Sequence, residues 1–224
     1  MNASLMDSDY EDAIREFIDF VNAQVGAYSD ACSGFAKNKS VVGRQVHRAM
    51  VKAGRKIADD GARVVMMTSV EDASQPDVVM HRIVLSSEYL AANSEGGSNE
   101  QQHARSAIVF VFAFWDEEIR PRLAKARGVE LQDVVGDVFG DMRQLRHAIL
   151  HNKGVLSAAA YVRLKALKDH FAPDAQVSLP NATIHRIFFL VKKETAQMLL
   201  RDTGAAATAP FDVSDVNEIA IQRV

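Results

Sequence analysis

The chain has 224 residues, of which 48% are hydrophobic, and a formal net charge of −3. This length and composition suit one sizeable core, and the slightly acidic balance excludes a protein that binds nucleic acid through its overall charge. The single cysteine, Cys32, excludes a disulfide framework or a thiolate zinc cluster within one chain and favours a reducing compartment.

The sequence indicates neither a signal peptide nor a membrane helix. The N-terminal MNASLMDSDYEDAIREF is acidic and lacks the basic-then-apolar order of a signal peptide. The longest apolar run, AIVFVFAFW at residues 107–115, has about half of the ~20 residues that a membrane helix needs. We therefore expect a cytoplasmic protein that does not enter a membrane.

Three helices are predicted in the first hundred residues, at 9–28, 41–59 and 77–93. The first helix has an apolar stripe that consists of Ile14, Phe17, Ile18, Val21 and Val25. The intervening residues 60–76 fit either an extension of the second helix or a short strand. The Gly- and Ser-rich residues 94–100 are predicted to form a loop.

A strongly apolar helix is predicted at residues 101–127. Its apolar stripe recurs at spacings of three and four residues and consists of Ile108, Phe112, Trp115, Ile119 and Leu123. Pro121 lies inside this helix and predicts a kink or break, because proline lacks the backbone N–H of the helical ladder. Gly128 is expected to end the helix.

The remaining sequence predicts three more helices and one short strand. The first of these helices covers 130–152, and Asn152 and Gly154 are typical of its C-terminal end. The other two cover 156–170 and 181–201. Between them, AQVSLP fits a short strand.

Long amphipathic helices joined by short loops predict a mostly α protein. We expect a bundle of about six to seven helices, with a short β element near the C-terminus. Residues 1–202 are predicted to form a single helical domain. Residues 203–224 are predicted to form a tail or extension, in which EIAIQ fits a strand.

Two segments are basic although the chain as a whole is acidic. Residues 142–168 and 36–56 each contain several lysines and arginines and no acidic residue. On the second predicted helix, one face carries Arg44, Arg48, Lys52 and Arg55. The opposite face carries Val46, Met50, Ala53 and Ile57. The basic face fits either an ordinary solvated helix surface or a surface that binds RNA phosphates.

The stretch GDMRQLRHAILHNKG, residues 140–154, combines arginines and histidines with an apolar stripe. That stripe is predicted to be buried and consists of Val138, Met142, Leu145 and Ile149. Another side carries Arg143, His147, Leu150 and His151. Histidine exchanges a proton near neutral pH, and arginine offers phosphate a planar, permanently charged fork. The combination therefore suits phosphodiester chemistry.

Two structural explanations compete with this interpretation. Histidines near a helix C-terminus, such as His147 and His151, are favoured by the helix dipole alone. A histidine pair at i and i+4 also suits a metal ion. No carboxylate or third histidine stands at a fixed spacing from the pair, so we predict neither a metal nor another cofactor.

The segment RHAILH, Arg146 to His151, resembles the R-x4-H motif of the HEPN superfamily, with a polar residue directly after the arginine. Its context also resembles a bacterial HEPN-type group, in which a Trp-containing FWDEEIRPRLA segment precedes a GD-x-R-x-L-R-x-x-I-x-H-N-x-G helix. The matching residues are Gly140, Asp141, Arg143, Leu145, Arg146, Ile149, His151, Asn152 and Gly154. The resemblance covers roughly residues 105–170.

The resemblance implies a helical bundle that dimerises with the motif helices facing each other. Many HEPN proteins are metal-independent endoribonucleases of phage defence or toxin–antitoxin systems, and others only bind RNA or a protein partner. An antitoxin or defence-system partner is therefore expected. The sequence departs from the family pattern at two positions. Lys153 stands where one toxin subgroup has a tyrosine, so modification of that tyrosine is not implied. His147 stands where the bacterial group has an asparagine.

On this hypothesis, His151 is the general acid or base, Arg146 holds the phosphate, and His147 and Asn152 orient or assist. The residues expected to bind RNA are Arg143, Lys153, Arg44, Arg48 and Lys52. The reaction needs two proton transfers and the motif offers one clear histidine, so a symmetric dimer would have to supply the second. Arg146 and His151 lie ~140° apart on an ideal helix, which is a geometric difficulty for a shared site. A non-catalytic HEPN-like RNA- or protein-binding module and a purely structural helical protein are the alternatives.

Overall fold

The computed structural model describes residues 3–54, 65–68 and 82–202, which are mostly helical, as predicted. The α-helices are α1 (Ala3–Lys52), α2 (Ser86–Ala92), α3 (Ser98–Phe114), α4 (Arg120–Arg127), α5 (Asp137–His151), α6 (Ala158–Val162) and α7 (Asn181–Asp202). The strands are β1 (Val65–Thr68), β2 (Arg82–Leu85), β3 (Val155–Leu156) and β4 (Ala175–Gln176).

The chain divides into two compact units. The larger unit comprises the described residues up to Tyr28 and from Ala104 onward, and the smaller unit comprises those from Ser29 to His103. The larger unit contains α4, α5, α6, α7 and the β3–β4 pair. The smaller unit contains β1, β2 and α2.

Helix α1 is one 50-residue helix where two separate helices were predicted. The prediction of a break between residues 28 and 41 is therefore wrong. This stretch contains no proline, and Gly34, its one glycine, has open space around it, so nothing local interrupts the helical hydrogen bonds. Four residues of the predicted apolar stripe, Ile14, Phe17, Ile18 and Val21, are buried, and the fifth, Val25, is half-buried.

In the smaller unit, strand β2 occupies residues that were predicted to belong to the third helix. Strands β1 and β2 are antiparallel, and Val65 lies opposite Leu85. The two β-branched residues of RIVL favour a strand, and only the second part of the predicted helix forms, as α2. Of the ambiguous residues 60–76, those described are a strand, and residues 77–81 lie outside the described part of the chain.

A kink or break was predicted near Pro121, and the structure has a π-helical turn there within a continuous helical backbone. A π-helical turn, Trp115–Ile119, joins α3 to α4, and Pro121 lies in the first turn of α4. Proline has no N–H to donate to the ladder, so the backbone widens into a π turn just before it. Gly128 ends α4 with φ of 65°, a left-handed conformation that glycine adopts readily.

The hydrophobic core of the larger unit is centred on three aromatic rings from α1, the π turn and α5. Trp115 and Phe139 stack in parallel, with centroids 3.7 Å apart and planes 6° apart. The Phe17 ring lies 5.3 Å from that of Trp115 and 5.8 Å from that of Phe139. This contact fixes the beginning of α5 against α1 and the π turn, because tightly packed rings leave little room for displacement.

Helix α5 begins at Asp137, seven residues later than the predicted start at 130. The residues before it form a 3-10 turn, Leu131–Asp133, followed by extended chain up to Gly136. The Glu194 carboxylate of α7 accepts hydrogen bonds from the backbone N–H groups of Asp137, at 2.6 Å, and Val138, at 2.8 Å. A side chain distant in sequence therefore caps this helix.

The predicted helix at 156–170 is wrong in most of its length. The segment contains part of β3, the five-residue α6 and a 3-10 turn, Lys168–His170. The buried carboxylate of Asp141 accepts hydrogen bonds from the backbone N–H groups of Lys165 and Leu167, which holds this segment in a non-helical path.

The two remaining predictions near the C-terminus are confirmed. The predicted strand AQVSLP contains β4, which pairs antiparallel with β3, so that Leu156 lies opposite Ala175. The helix predicted at 181–201 is α7. Residues 203–224, with the predicted strand EIAIQ, lie outside the described residues.

Candidate functional site

Helix α5 carries the residues of the R-x4-H motif, and its two faces differ as predicted. The inner face is buried at Ala148 and at three residues of the predicted stripe, Val138, Met142 and Leu145, whereas the fourth, Ile149, is half-buried. The outer face is exposed at Gly140, Arg143, His147, Leu150 and His151. Steps of three and four residues place Gly140, Arg143, His147 and His151 along one line, which we call the outer stripe.

His147 and His151 are exposed neighbours on this stripe. Their ring centroids lie 5.0 Å apart, with an angle of 43° between the planes. Because both rings belong to consecutive turns of one regular helix, a single chain holds two imidazoles within reach of one phosphate group. The arrangement can exchange two protons without a second chain.

Arg146 points to a different side of α5. It is half-buried, and its guanidinium carbon lies 5.9 Å from the centroid of the Phe112 ring on α3. Its Nε–H is buried and has no hydrogen-bond acceptor among the described residues. A buried donor without an acceptor costs roughly 1–3 kcal/mol, so this guanidinium is held in a position that an added anionic acceptor would stabilise.

The angle between Arg146 and His151 expected from an ideal helix persists in the structure. Helix α5 remains regular through His151, and the backbone departs from helical geometry only at Asn152. Loosening of the last turn therefore does not bring the two side chains together. Within one chain, the Arg146 guanidinium can approach His151 only through the length of the arginine side chain.

The turn after α5 supports the end that carries the histidines. Asn152 and Lys153 are exposed, and Lys153 and Gly154 have φ angles of 53° and 81°. Gly154 donates its N–H to the carbonyl of Ala148 at 2.9 Å. Residues with a left-handed backbone conformation commonly end helices. The prediction that Asn152 and Gly154 mark the end of this helix is therefore confirmed.

Arg105 on α3 holds the strand next to this turn, a role that sequence reasoning missed. Its Nε and one terminal nitrogen donate to the carbonyl of Val177, at 3.3 and 3.0 Å. Its guanidinium also lies 3.6 Å from the position that a Cβ on Gly154 would occupy. The sequence feature that could have indicated this role is an arginine placed just before the apolar run of α3.

A small cavity of about 130 Å³ lies beside the start of the outer stripe. Its apolar wall consists of three aromatic residues and two valines: Phe112, Trp115, Phe139, Val134 and Val135. Arg143 and Gly140 of the outer stripe also line it, together with the ion-paired side chains of Asp116 and Arg120, whose oxygen and nitrogen are 2.9 Å apart. We call this space the aromatic cavity.

A larger cavity, of about 570 Å³, lies on the other side of Gly136 and Gly140. Its charged lining residues are Asp137, Asp141, Glu194, Arg163, Lys165 and Arg201. Burial raises the pKa of Asp141 and of Glu194, and in both cases hydrogen bonds from backbone N–H groups act in the opposite direction. These carboxylates fix neighbouring backbone, so we assign them a structural role.

The other predicted RNA-binding residues belong to the smaller unit. Arg44, Arg48 and Lys52 are exposed on the C-terminal part of α1, at i, i+4 and i+8. Arg44 donates to the hydroxyl oxygen of Ser40 at 2.6 Å. Val46 and Met50 are half-buried, whereas Ala53 is exposed because α1 ends at Lys52. Arg55 and Ile57 lie outside the described residues.

In the part of the chain that the structure describes, no cluster of three or more histidine, cysteine or acidic residues is arranged to hold a metal ion. No helix in the same ranges is long and apolar enough to cross a membrane. No family model, curated protein or solved structure matches the chain. The resemblance to HEPN proteins therefore rests on the residues around α5.

Proposed function

We propose that the chain is a metal-independent endoribonuclease of the HEPN type that acts as a dimer in the cytoplasm. The observation that supports the proposal is the pair of exposed imidazoles of His147 and His151, 5.0 Å apart, on the same helix as Arg146. A role in phage defence or in a toxin–antitoxin system, with an antitoxin or defence partner, follows from the resemblance alone.

The proposed reaction is an internal transesterification of RNA. One imidazole removes the proton of a 2′-hydroxyl, the 2′-oxygen attacks the adjacent phosphorus, and the bond from phosphorus to the 5′-oxygen breaks. The second, protonated imidazole donates its proton to the departing 5′-oxygen, which leaves a 2′,3′-cyclic phosphate and a 5′-hydroxyl. His151 and His147 supply the two imidazoles, and the 2′-hydroxyl requirement restricts the substrate to RNA.

Arg146 and the end of α5 would stabilise the phosphate. The Arg146 guanidinium has a buried Nε–H without an acceptor among the described residues, and the crowded, negatively charged phosphoryl group of the transition state supplies acceptors. Arg143 and Lys153 flank the histidines along the chain and add positive charge, and the Asn152 amide is available to orient the substrate.

Dimerisation would place two such sets of groups in one cleft. Leu150 lies between the two histidines in sequence and is 49% exposed, an apolar side chain on an otherwise polar face. An isologous contact through this face would cover Leu150 and bring the two α5 helices together. Each protomer would then contribute its own imidazole pair and one arginine.

A non-catalytic RNA-binding module is the second candidate. The exposed cations Arg44, Arg48 and Lys52 support it, because phosphate contacts give RNA affinity without any catalytic group. This candidate predicts salt-sensitive RNA association that persists in Arg146→Ala and His151→Ala.

The test is cleavage of a mixed-sequence RNA in the presence of a chelator. We expect cleavage by the wild type and a loss of at least about 100-fold in each of three variants. For His147→Ala and His151→Ala this is the scale of general acid–base catalysis, and for Arg146→Ala it is the scale of transition-state charge stabilisation. His170→Ala, which changes an exposed histidine of a 3-10 turn, is the matched control and should retain activity.

Circular dichroism spectra would establish that every variant keeps its helical content. Unchanged cleavage in both Arg146→Ala and His151→Ala would refute the proposal. The absence of any cleavage by the wild type, together with salt-sensitive RNA binding, would leave the binding module as the function.

A further inference from the structure

The aromatic cavity has the features of a site for a single flat ring. Its volume, about 130 Å³, is below the roughly 300–1,000 Å³ that drug-sized ligands occupy, so it suits one ring better than a whole nucleotide. The Trp115 and Phe139 rings are already stacked on each other, and each is less than 5% exposed. An inserted ring would therefore contact the edges of this stack.

The polar groups at the cavity wall suit the edge of a nucleobase. Asp116 presents a carboxylate and Arg120 a guanidinium, half-buried and hydrogen-bonded to each other. A carboxylate accepts from the exocyclic amine of cytosine, and a guanidinium donates to carbonyl oxygens of bases. Arg143 is exposed at the same wall and offers a contact to phosphate.

The cavity lies on the path from the histidines along α5. Arg143 is one turn of helix before His147, a rise of about 6 Å, and Gly140 is about 10 Å before it. Phe112 of α3 also lines the cavity, and its ring packs against the Arg146 guanidinium. A nucleotide adjacent to the phosphate at the histidines would bring its base to this cavity.

We propose that the aromatic cavity binds an unstacked pyrimidine base of an RNA strand. The position relative to the cleaved bond rests on the proposed ribonuclease function, whereas binding of the base does not. Sequence-specific recognition of RNA commonly uses unstacked bases whose edges the protein hydrogen-bonds. The cavity would thus select the nucleotide next to the cleaved phosphate.

The only tryptophan of the chain gives a direct measurement, because Trp115 lines the cavity. We expect cytidine and uridine 5′-monophosphates to change Trp115 fluorescence with saturation at millimolar concentration, and ribose 5-phosphate to cause no such change. A response to ribose 5-phosphate equal to that of the pyrimidine nucleotides, a response only to purine nucleotides, or no response at all would each overturn the proposal.

Gly140→Leu is the variant that adds a bulky side chain to the cavity wall. A Cβ added at Gly140 meets no heavy atom within 4 Å, so the backbone accepts a side chain there, and the leucine then competes with a ligand for the space that Gly140 lines. We expect the affinity for cytidine monophosphate to fall at least tenfold. Gly26→Leu, at another helical glycine with open space around it, is the matched control and should bind normally.

Arg143→Gln provides a second variant that does not depend on packing and should weaken binding by removing the phosphate contact. Full retention of binding in both Gly140→Leu and Arg143→Gln would disprove the assignment of the cavity. Binding that follows the expected pattern in a chain that cleaves no RNA would refute the ribonuclease function and leave the base site standing.

Discussion

Gly154 occupies a backbone conformation that other residues adopt at a cost, directly after the helix that carries the histidines. Its φ is 81°, and a Cβ at this position would lie 2.8 Å from Oε1 of Gln176. Arg105 would lie 3.6 Å from this Cβ, an ordinary contact distance. Substitution therefore adds backbone strain and displaces the exposed Gln176 side chain, whose amide nitrogen donates to the Lys153 carbonyl at 3.3 Å.

We predict that Gly154→Ala lowers the free energy of unfolding by about 2 kcal/mol, as measured by urea denaturation, because it adds backbone strain and displaces Gln176 from its hydrogen bond to Lys153. Gly128→Ala is the control, because Gly128 has a similar φ of 65° but open space around its Cβ position. The control variant should lose only about 1 kcal/mol from strain alone. Equal losses in the two variants would contradict the role assigned to Gln176.

At the residue scale, the sequence predicted which side chains are buried better than what buried polar groups do. Of the apolar stripe predicted for α5 from its spacing, Val138, Met142 and Leu145 are buried and Ile149 is half-buried. Asp141 lies on the same face and is 1% exposed, because it binds backbone N–H groups of a segment about 25 residues away. The position of Asp141 on an apolar face indicates a buried, hydrogen-bonded carboxylate. The neighbouring sequence does not show which backbone groups it binds.

At the element scale, α5 depends on a carboxylate from α7. Burial raises the pKa of Glu194 above its ordinary value of 4.5, and the backbone N–H groups of Asp137 and Val138 partly oppose this shift. The folded state therefore holds the Glu194 proton to a higher pH than the unfolded chain does. Its contribution to stability falls as pH rises through the interval between the ordinary and the raised pKa.

We predict that the stability advantage of the wild type over Glu194→Gln is larger near pH 4 than at pH 7. Glutamine does not titrate, and the other carboxylates are common to both proteins, so the difference isolates Glu194. Urea unfolding at several pH values between 4 and 7 measures it. An advantage that grows as the pH rises would show that the backbone N–H bonds outweigh burial and that the pKa is lowered.

Helix boundaries were the least predictable elements, and the reasons are specific. The late start of α5 and the short α6 both follow from capping and anchoring carboxylates that are distant in sequence, Glu194 and Asp141. The continuity of α1 had a local cause, since no proline separates the two predicted helices. By contrast, the irregular turn before Pro121 and the end at Gly128 were predictable from single residues.

At the scale of the whole molecule, positive charge is concentrated in places although the net charge is −3. The smaller unit carries Arg44, Arg48 and Lys52 on one exposed face, and the larger unit carries Arg143 and Lys153 near the histidines. If both sets contact RNA, affinity depends on the position of each cation more than on the total charge.

The salt dependence of RNA affinity shows whether binding depends on the positions of particular cations or on the total charge of the protein. For a single strand, each phosphate contact contributes about 0.7 to the slope of log affinity against log salt. We predict that Arg44→Gln with Arg48→Gln reduces this slope by about 1.4. The control pair, Lys125→Gln with Arg186→Gln, removes the same charge from exposed positions on α4 and α7 and should leave the slope nearly unchanged. Equal reductions in both pairs would mean that RNA senses only the overall charge of the protein.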